Sequence, residues 1–108
     1  MKGTYLGEFE EIVLLTVASV EEDAYAVSVK AQVDSSTNRK VNISAIHSAL
    51  YRLEEKGYLI SEFGGATQKR GGKQKRLFRV TSAGFAALQQ SKDIRQEFWK
   101  NIPQLSFH

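Results

Sequence analysis

The chain has 108 residues, 42% hydrophobic and 25% charged, a balance that suits one globular domain with a modest core and excludes both two domains and a disordered chain. It has no cysteine, which excludes disulfides and thiolate metal sites and is compatible with a reducing cytosol. The net charge of +3 conceals a skew: residues 1–34 hold two lysines against seven acids, and residues 63–92 hold seven basic residues and no acid, a field that suits a polyanionic partner.

In chain order, Gly7 to Val20 places Phe9, Ile12, Val13, Val17 and Val20 at three- and four-residue spacings, with Glu8, Glu10 and Glu11 in the first turn. That pattern predicts a helix whose acids suit the positive end of its dipole. The N-terminus has no basic lead, apolar run and small-residue cleavage site. The densest apolar stretch, Ile12–Val20, is far short of the ~20 residues that cross a bilayer, so a soluble cytoplasmic protein is expected. Glu21-Glu22-Asp23 reads as a polar turn, with Asp23 as a cap for the segment after it.

That segment is ambiguous. Tyr25, Val27, Val29, Ala31 and Val33 alternate as a strand would, while Tyr25, Val29 and Val33 also fall on one helical stripe that Ala26 widens. Ser35-Ser36-Thr37-Asn38 reads as the turn that ends it. The clearest element then starts at Asn42, a helix cap preceded by Val41, which can pack on Ile46 as a staple. Ile43, Ile46, Leu50 and Leu53 form the predicted core stripe, and Gly57 stands where a left-handed residue would stop the helix. The opposite face carries Ser44, His47, Ser48, Tyr51 and Arg52.

Tyr58–Phe63 and Leu77–Val80 read as two strands of a hairpin, joined by a glycine-containing basic loop. Lys69, Arg70, Lys73, Lys75, Arg76 and Arg79 fall within eleven residues there. Thr81 can cap a final helix with apolar positions Phe85, Leu88, Ile94, Phe98 and Ile102, ending at or before Pro103.

A helix-turn-helix places its second helix in the major groove of duplex DNA, with residues near that helix's start reaching base edges. By that logic Asn42, Ser44, His47, Ser48, Tyr51 and Arg52 are the candidate base-facing and backbone contacts. Lys69, Arg70, Lys73, Lys75 and Arg76 are the candidate phosphate contacts, which give affinity and orientation with little discrimination. Taken singly, the same features also read as a solvated helix face and a solvated charged loop. No metal site is expected, because the only other histidine is His108 and no acid or cysteine completes a set around His47. No cofactor is expected either: Gly71-Gly72 lacks the strand–loop–helix context of a phosphate-binding loop. Glu54 and Glu55 are adjacent on a helix and point apart. No nucleophile–base pair can be assembled, so an enzyme is not expected.

Two runs carry a family resemblance. Ile43-Ser44-Ala45-Ile46-His47-Ser48-Ala49-Leu50-Tyr51-Arg52-Leu53-Glu54-Glu55-Lys56-Gly57-Tyr58-Leu59 resembles the recognition-helix signature of bacterial PadR-like transcriptional regulators. Arg70-Gly71-Gly72-Lys73-Gln74-Lys75-Arg76-Leu77-Phe78-Arg79-Val80-Thr81-Ser82-Ala83-Gly84 resembles their wing, second strand and start of the last helix. Leu6-Gly7 through Val20 and Asp23–Val27 fit the family's opening, so the resemblance covers about residues 5–90. It selects helix for the ambiguous Tyr25–Ser35 segment. The chain departs from the family at His47, where tyrosine is usual, at Ala26 for a frequent glycine, and at Ser82 for a frequent proline.

The resemblance implies an α+β, mainly helical winged helix-turn-helix: three helices and a two-stranded β wing over residues 1–81, then a C-terminal dimerisation helix and tail over 82–108. It implies a homodimer that binds double-stranded DNA as a repressor, relieved by a small-molecule effector at the dimer interface or near the first helix. Leu88, Ile94, Phe98, Trp99 and Ile102 are the expected interface residues, Trp99 lying there or against its own first helix. A winged-helix module that binds an acidic protein is the alternative.

Overall fold

The computed structural model describes residues 6–64 and 75–103. Helix α1 spans Glu8–Val20 and leads through a short 3-10 turn, Glu21–Asp23, into α2, Ala26–Thr37. Then come α3, Ile43–Glu55, strands β1, Leu59–Gly64, and β2, Lys75–Val80, and the long α4, Ser82–Lys100. The strands form a two-stranded antiparallel sheet in which Leu59 pairs with Val80 and Gly64 with Lys75.

One core joins α1, α2, α3 and the hairpin. Val13, Leu14 and Val17 of α1 meet Val29 and Val33 of α2, Ile46, Leu50 and Leu53 of α3, and Leu59 and Phe78 of the strands. That core resolves the ambiguity at α2. Val29 and Val33, four apart, are buried together while Val27 is exposed, an arrangement strict alternation could not give.

Several element boundaries and one core position differ from what the sequence predicts. The cap of α2 is Tyr25, not Asp23: the Tyr25 amide donates to Ser28 Oγ at 3.0 Å, and Asp23 is spent in the preceding turn, where its carbonyl accepts from the Ser28 hydroxyl. Helix α2 runs on through Ser35, Ser36 and Thr37, and only Asn38, left-handed at φ 56°, ends it. Strand β1 begins at Leu59 and runs to Gly64, and β2 begins two residues early, at Lys75, because cross-strand pairing outlasts the apolar run. Ile43 is not a core residue: it is 37% exposed, and Ala49 fills the stripe with Ile46, Leu50 and Leu53.

The connections are tied by side chains. Asn42 Oδ1 accepts the Ser44 amide at 2.8 Å, capping α3 as its side chain predicts. Gly57 adopts φ 82° after α3, a conformation that favours glycine. Thr81 caps α4 by accepting the Gly84 amide at 3.0 Å, and its hydroxyl donates to the Gly57 carbonyl at 2.6 Å. Three helices around one core with a hairpin after the third make a winged helix-turn-helix, and α4 leaves it as a 19-residue rod about 28 Å long.

Candidate nucleic-acid interface

The outward face of α3 is set by the burial of the inward one. With Ile46, Ala49, Leu50 and Leu53 buried, Asn42, Ser44, His47, Ser48, Tyr51 and Arg52 are all exposed. They are not equivalent. Asn42 and Ser44 are engaged with each other, the Ser44 hydroxyl donating to Asn42 Oδ1 at 2.6 Å. His47 and Tyr51, one turn apart, bring their rings to 6.1 Å. Arg52 turns toward α1, where its Nε donates to Glu10 at 2.9 Å; it is half exposed, but its guanidinium serves an intramolecular ion pair.

The hairpin leaves the core beside this face. The Phe78 amide donates to the Ala24 carbonyl at 2.8 Å, which fixes β2 against the start of α2. Arg76 holds the hairpin to α3: its guanidinium donates to Glu54 at 2.9 Å and to Ser61 Oγ at 3.0 Å, and the Ser61 hydroxyl donates to Glu54 at 2.6 Å. The same guanidinium lies 5.4 Å from the Tyr51 ring and 5.8 Å from Phe63 and Phe78. Lys75 Nζ sits 4.0 Å over the Tyr25 ring. Tyr25, His47, Tyr51, Lys75 and Arg76 thus line one groove of about 190 Å³ between α2, α3 and β2. The polar face of the helix and the cationic start of β2 share one side of the molecule. Lys69, Arg70 and Lys73, named from the sequence as phosphate contacts, lie outside the described residues, as does His108.

Acids missed in the sequence reading set this geometry. Glu10 is buried, and besides Arg52 it takes Lys56 Nζ at 2.7 Å and the Gly7 amide at 3.3 Å. Burial raises its pKa, but the Lys56, Arg52 and Gly7 hydrogen bonds outweigh that and hold the carboxyl below its ordinary value. Asp34 closes the turn between α2 and α3. Lys30 lies 2.6 Å from one oxygen and the Val41 amide donates to the other at 2.8 Å, and these bonds lower its pKa. Only a capping spacing hints at any of them from sequence.

Helix α4 starts against the hairpin, where Gly84 packs on Tyr58 and Val80, and is tied to α1 through Ser91 and Arg95. Leu88, expected at an interface, is 9% exposed and belongs to its own core. Glu11 of α1 accepts from Ser91 Oγ at 3.0 Å and from Arg95 at 2.6 Å, and that bond raises the Arg95 pKa. Apolar surface flanks this line on both sides. Leu15, Phe85 and Trp99 line a groove of about 440 Å³, and Leu6, Ile94 and Phe98 line another of about 230 Å³. Phe85, Ile94, Phe98 and Trp99 are 54%, 45%, 71% and 58% exposed, and Ile102 is half-buried beside Phe98 and Trp99. Among the described residues no group of acids and histidines could hold a metal ion, and no helix is long and apolar enough to cross a membrane.

No protein-family model and no curated protein sequence matches the chain. Solved structures do. A PadR-like transcriptional regulator from Bacillus cereus aligns at TM-score 0.73 with 15% identity, over 93% of this chain and 92% of its own. A PadR-like transcription factor from Bacteroides fragilis aligns at 0.70 with 22% identity, over 85% and 84%. A PadR family transcriptional regulator from Eggerthella lenta aligns at 0.67 with 20% identity, over 93% and 87%. This chain has the fold of those regulators.

Proposed function

We propose that this chain, built on the fold of PadR-like regulators, is a sequence-specific duplex DNA-binding repressor that acts as a cytoplasmic homodimer. The observation that carries the reading is the groove shared by α3 and the start of β2. It puts His47 and Tyr51 beside Lys75 and Arg76, as a helix in the major groove with a wing on the flanking phosphates requires. Ser44, His47 and Ser48 face the bases. Tyr51 lies at the groove edge, Lys75 and the basic residues before it meet the backbone, and Arg76 sets the angle between wing and helix. Residues 1–81 form the DNA-binding unit and residues 82–108 the dimerisation helix and tail. The exposed Ile94, Phe98 and Trp99 are the surface a second copy covers, and a small-molecule effector would bind in the grooves between α1 and α4.

The test is a fluorescence anisotropy titration against duplexes selected from genomic fragments. The expected result is about nanomolar affinity for a roughly palindromic site, with log affinity falling steeply as salt rises. Ser48→Glu puts a negative charge against the DNA and abolishes that binding. Duplex affinity with no sequence preference and no salt slope overturns the reading. An acidic protein partner that Ser48→Glu still retains, with no duplex preference in the parent, points instead to a protein-binding module that uses the hairpin.

A further inference from the structure

Two consecutive carboxylates on α1 grip two different helices. Glu10 takes Arg52 Nε at 2.9 Å and Lys56 Nζ at 2.7 Å, both from the α3 side. Glu11 takes Ser91 Oγ at 3.0 Å and Arg95 at 2.6 Å, both from α4. Successive residues on a helix point about 100° apart, so α1 lies between α3 and α4 with one acid turned to each. Both grips are shielded: the Glu10 and Glu11 side chains are only 10% and 13% exposed, although Arg52 and Arg95 are about half exposed. Beyond Ser91, α4 is exposed at every residue to Lys100, so the Glu11 clasp fixes the direction in which the rod leaves the core.

We infer that Glu10 and Glu11 are a paired positioning device, through which the seating of α4 on α1 sets the orientation of the recognition helix α3. A single peptide bond separates the two grips, so a tilt or roll of α1 that accompanies α4 carries Arg52 and Lys56 with it. Arg52 is then the α3 half of a clasp rather than a base-reading side chain. The inference rests on the DNA-binding reading for its functional consequence, not for the coupling itself.

Charge and position make opposite predictions. Glu11→Gln removes a negative charge and Arg95→Gln removes a positive one, yet both break the same contact. If these groups act only through the field of the protein, the first variant binds a polyanion more tightly and the second more weakly. If they position α3, both weaken duplex binding, by about three- to tenfold, with the salt slope unchanged because no phosphate contact is lost. The double variant then loses no more than either single one. The titrations use the full chain at a concentration where sedimentation shows one oligomeric state for all proteins. Arg95 is half exposed, so Arg95→Gln folds even if Glu11→Gln does not; its affinity falls on either account, and hydrogen exchange in α3, which a change of net field does not move, then decides. In the absence of DNA, hydrogen exchange at the Arg52–Lys56 amides should quicken in Arg95→Gln by about threefold or more. Affinity changes of opposite sign, affinities within about twofold of the parent, or unchanged protection in α3 each overturn the inference. A parent protein that binds no duplex overturns the DNA reading instead, and the exchange measurement still tests the coupling.

Discussion

A carboxylate on a side chain only 10% exposed must be paired or protonated, and Glu10 is paired. Its pKa lies below the ordinary value of 4.5 because the Lys56, Arg52 and Gly7 bonds exceed the penalty of burial. A depressed folded-state pKa contributes stability that is present above the unfolded value and lost as pH falls through the folded one. Stability should therefore drop on acidification below about pH 4.5, and Glu10→Gln should flatten that part of a urea-midpoint profile against pH. Gly84 is decided by contact rather than by propensity. A Cβ there would stand 2.4 Å from the Tyr58 carbonyl oxygen and 2.7 Å from a Val80 methyl. Alanine favours a helix interior by about 1 kcal/mol over glycine, yet Gly84→Ala should destabilise by about 1–3 kcal/mol, because the backbone of α4 must move away from the start of the hairpin. A denaturant midpoint that rises would show that α4 yields at little cost.

At the scale of elements, α3 and α4 are legible in the sequence because their signals are local. Asn42 and Thr81 cap with their own side chains, Gly57 takes the left-handed conformation, and the stripe Ile46–Leu50–Leu53 has helical spacing. Helix α2 is not legible alone, since its residues satisfy both periods; the neighbours of Val29 and Val33 choose. Lys75 lies over Tyr25 at the loop-side end of the strand pair, while Lys73 lies outside the described residues. Lys73→Ala combined with Lys75→Ala should weaken all duplexes about equally and lower the salt slope by about 1–2. A loss confined to the preferred site would make these lysines base readers.

At the scale of the molecule, α4 is the unusual part. It spends one stripe on α1 and leaves apolar side chains on both flanks, with Phe98 71% exposed at one of them. Large aromatics held out in this way are the kind of anchor that dominates a subunit interface. Phe98→Ala should raise the dissociation constant of the proposed dimer by about tenfold or more, read by sedimentation equilibrium. A dimer that dissociates as before would move the interface to the Trp99 groove.

The helical periods, the caps, the hairpin and the cluster of basic residues on it are legible in the chain alone, because each depends on neighbours a few residues apart. Which of the many acids are fastened, and to what, is set by packing across the core. Glu10 meets Arg52 and Lys56, Glu11 meets Arg95, and Glu54 meets Arg76, pairings 22 to 84 residues apart in the chain. The reason is physical. A charge that caps its own helix and a charge that clamps a distant one look the same in one dimension, and only packing, by excluding water, makes a specific partner matter.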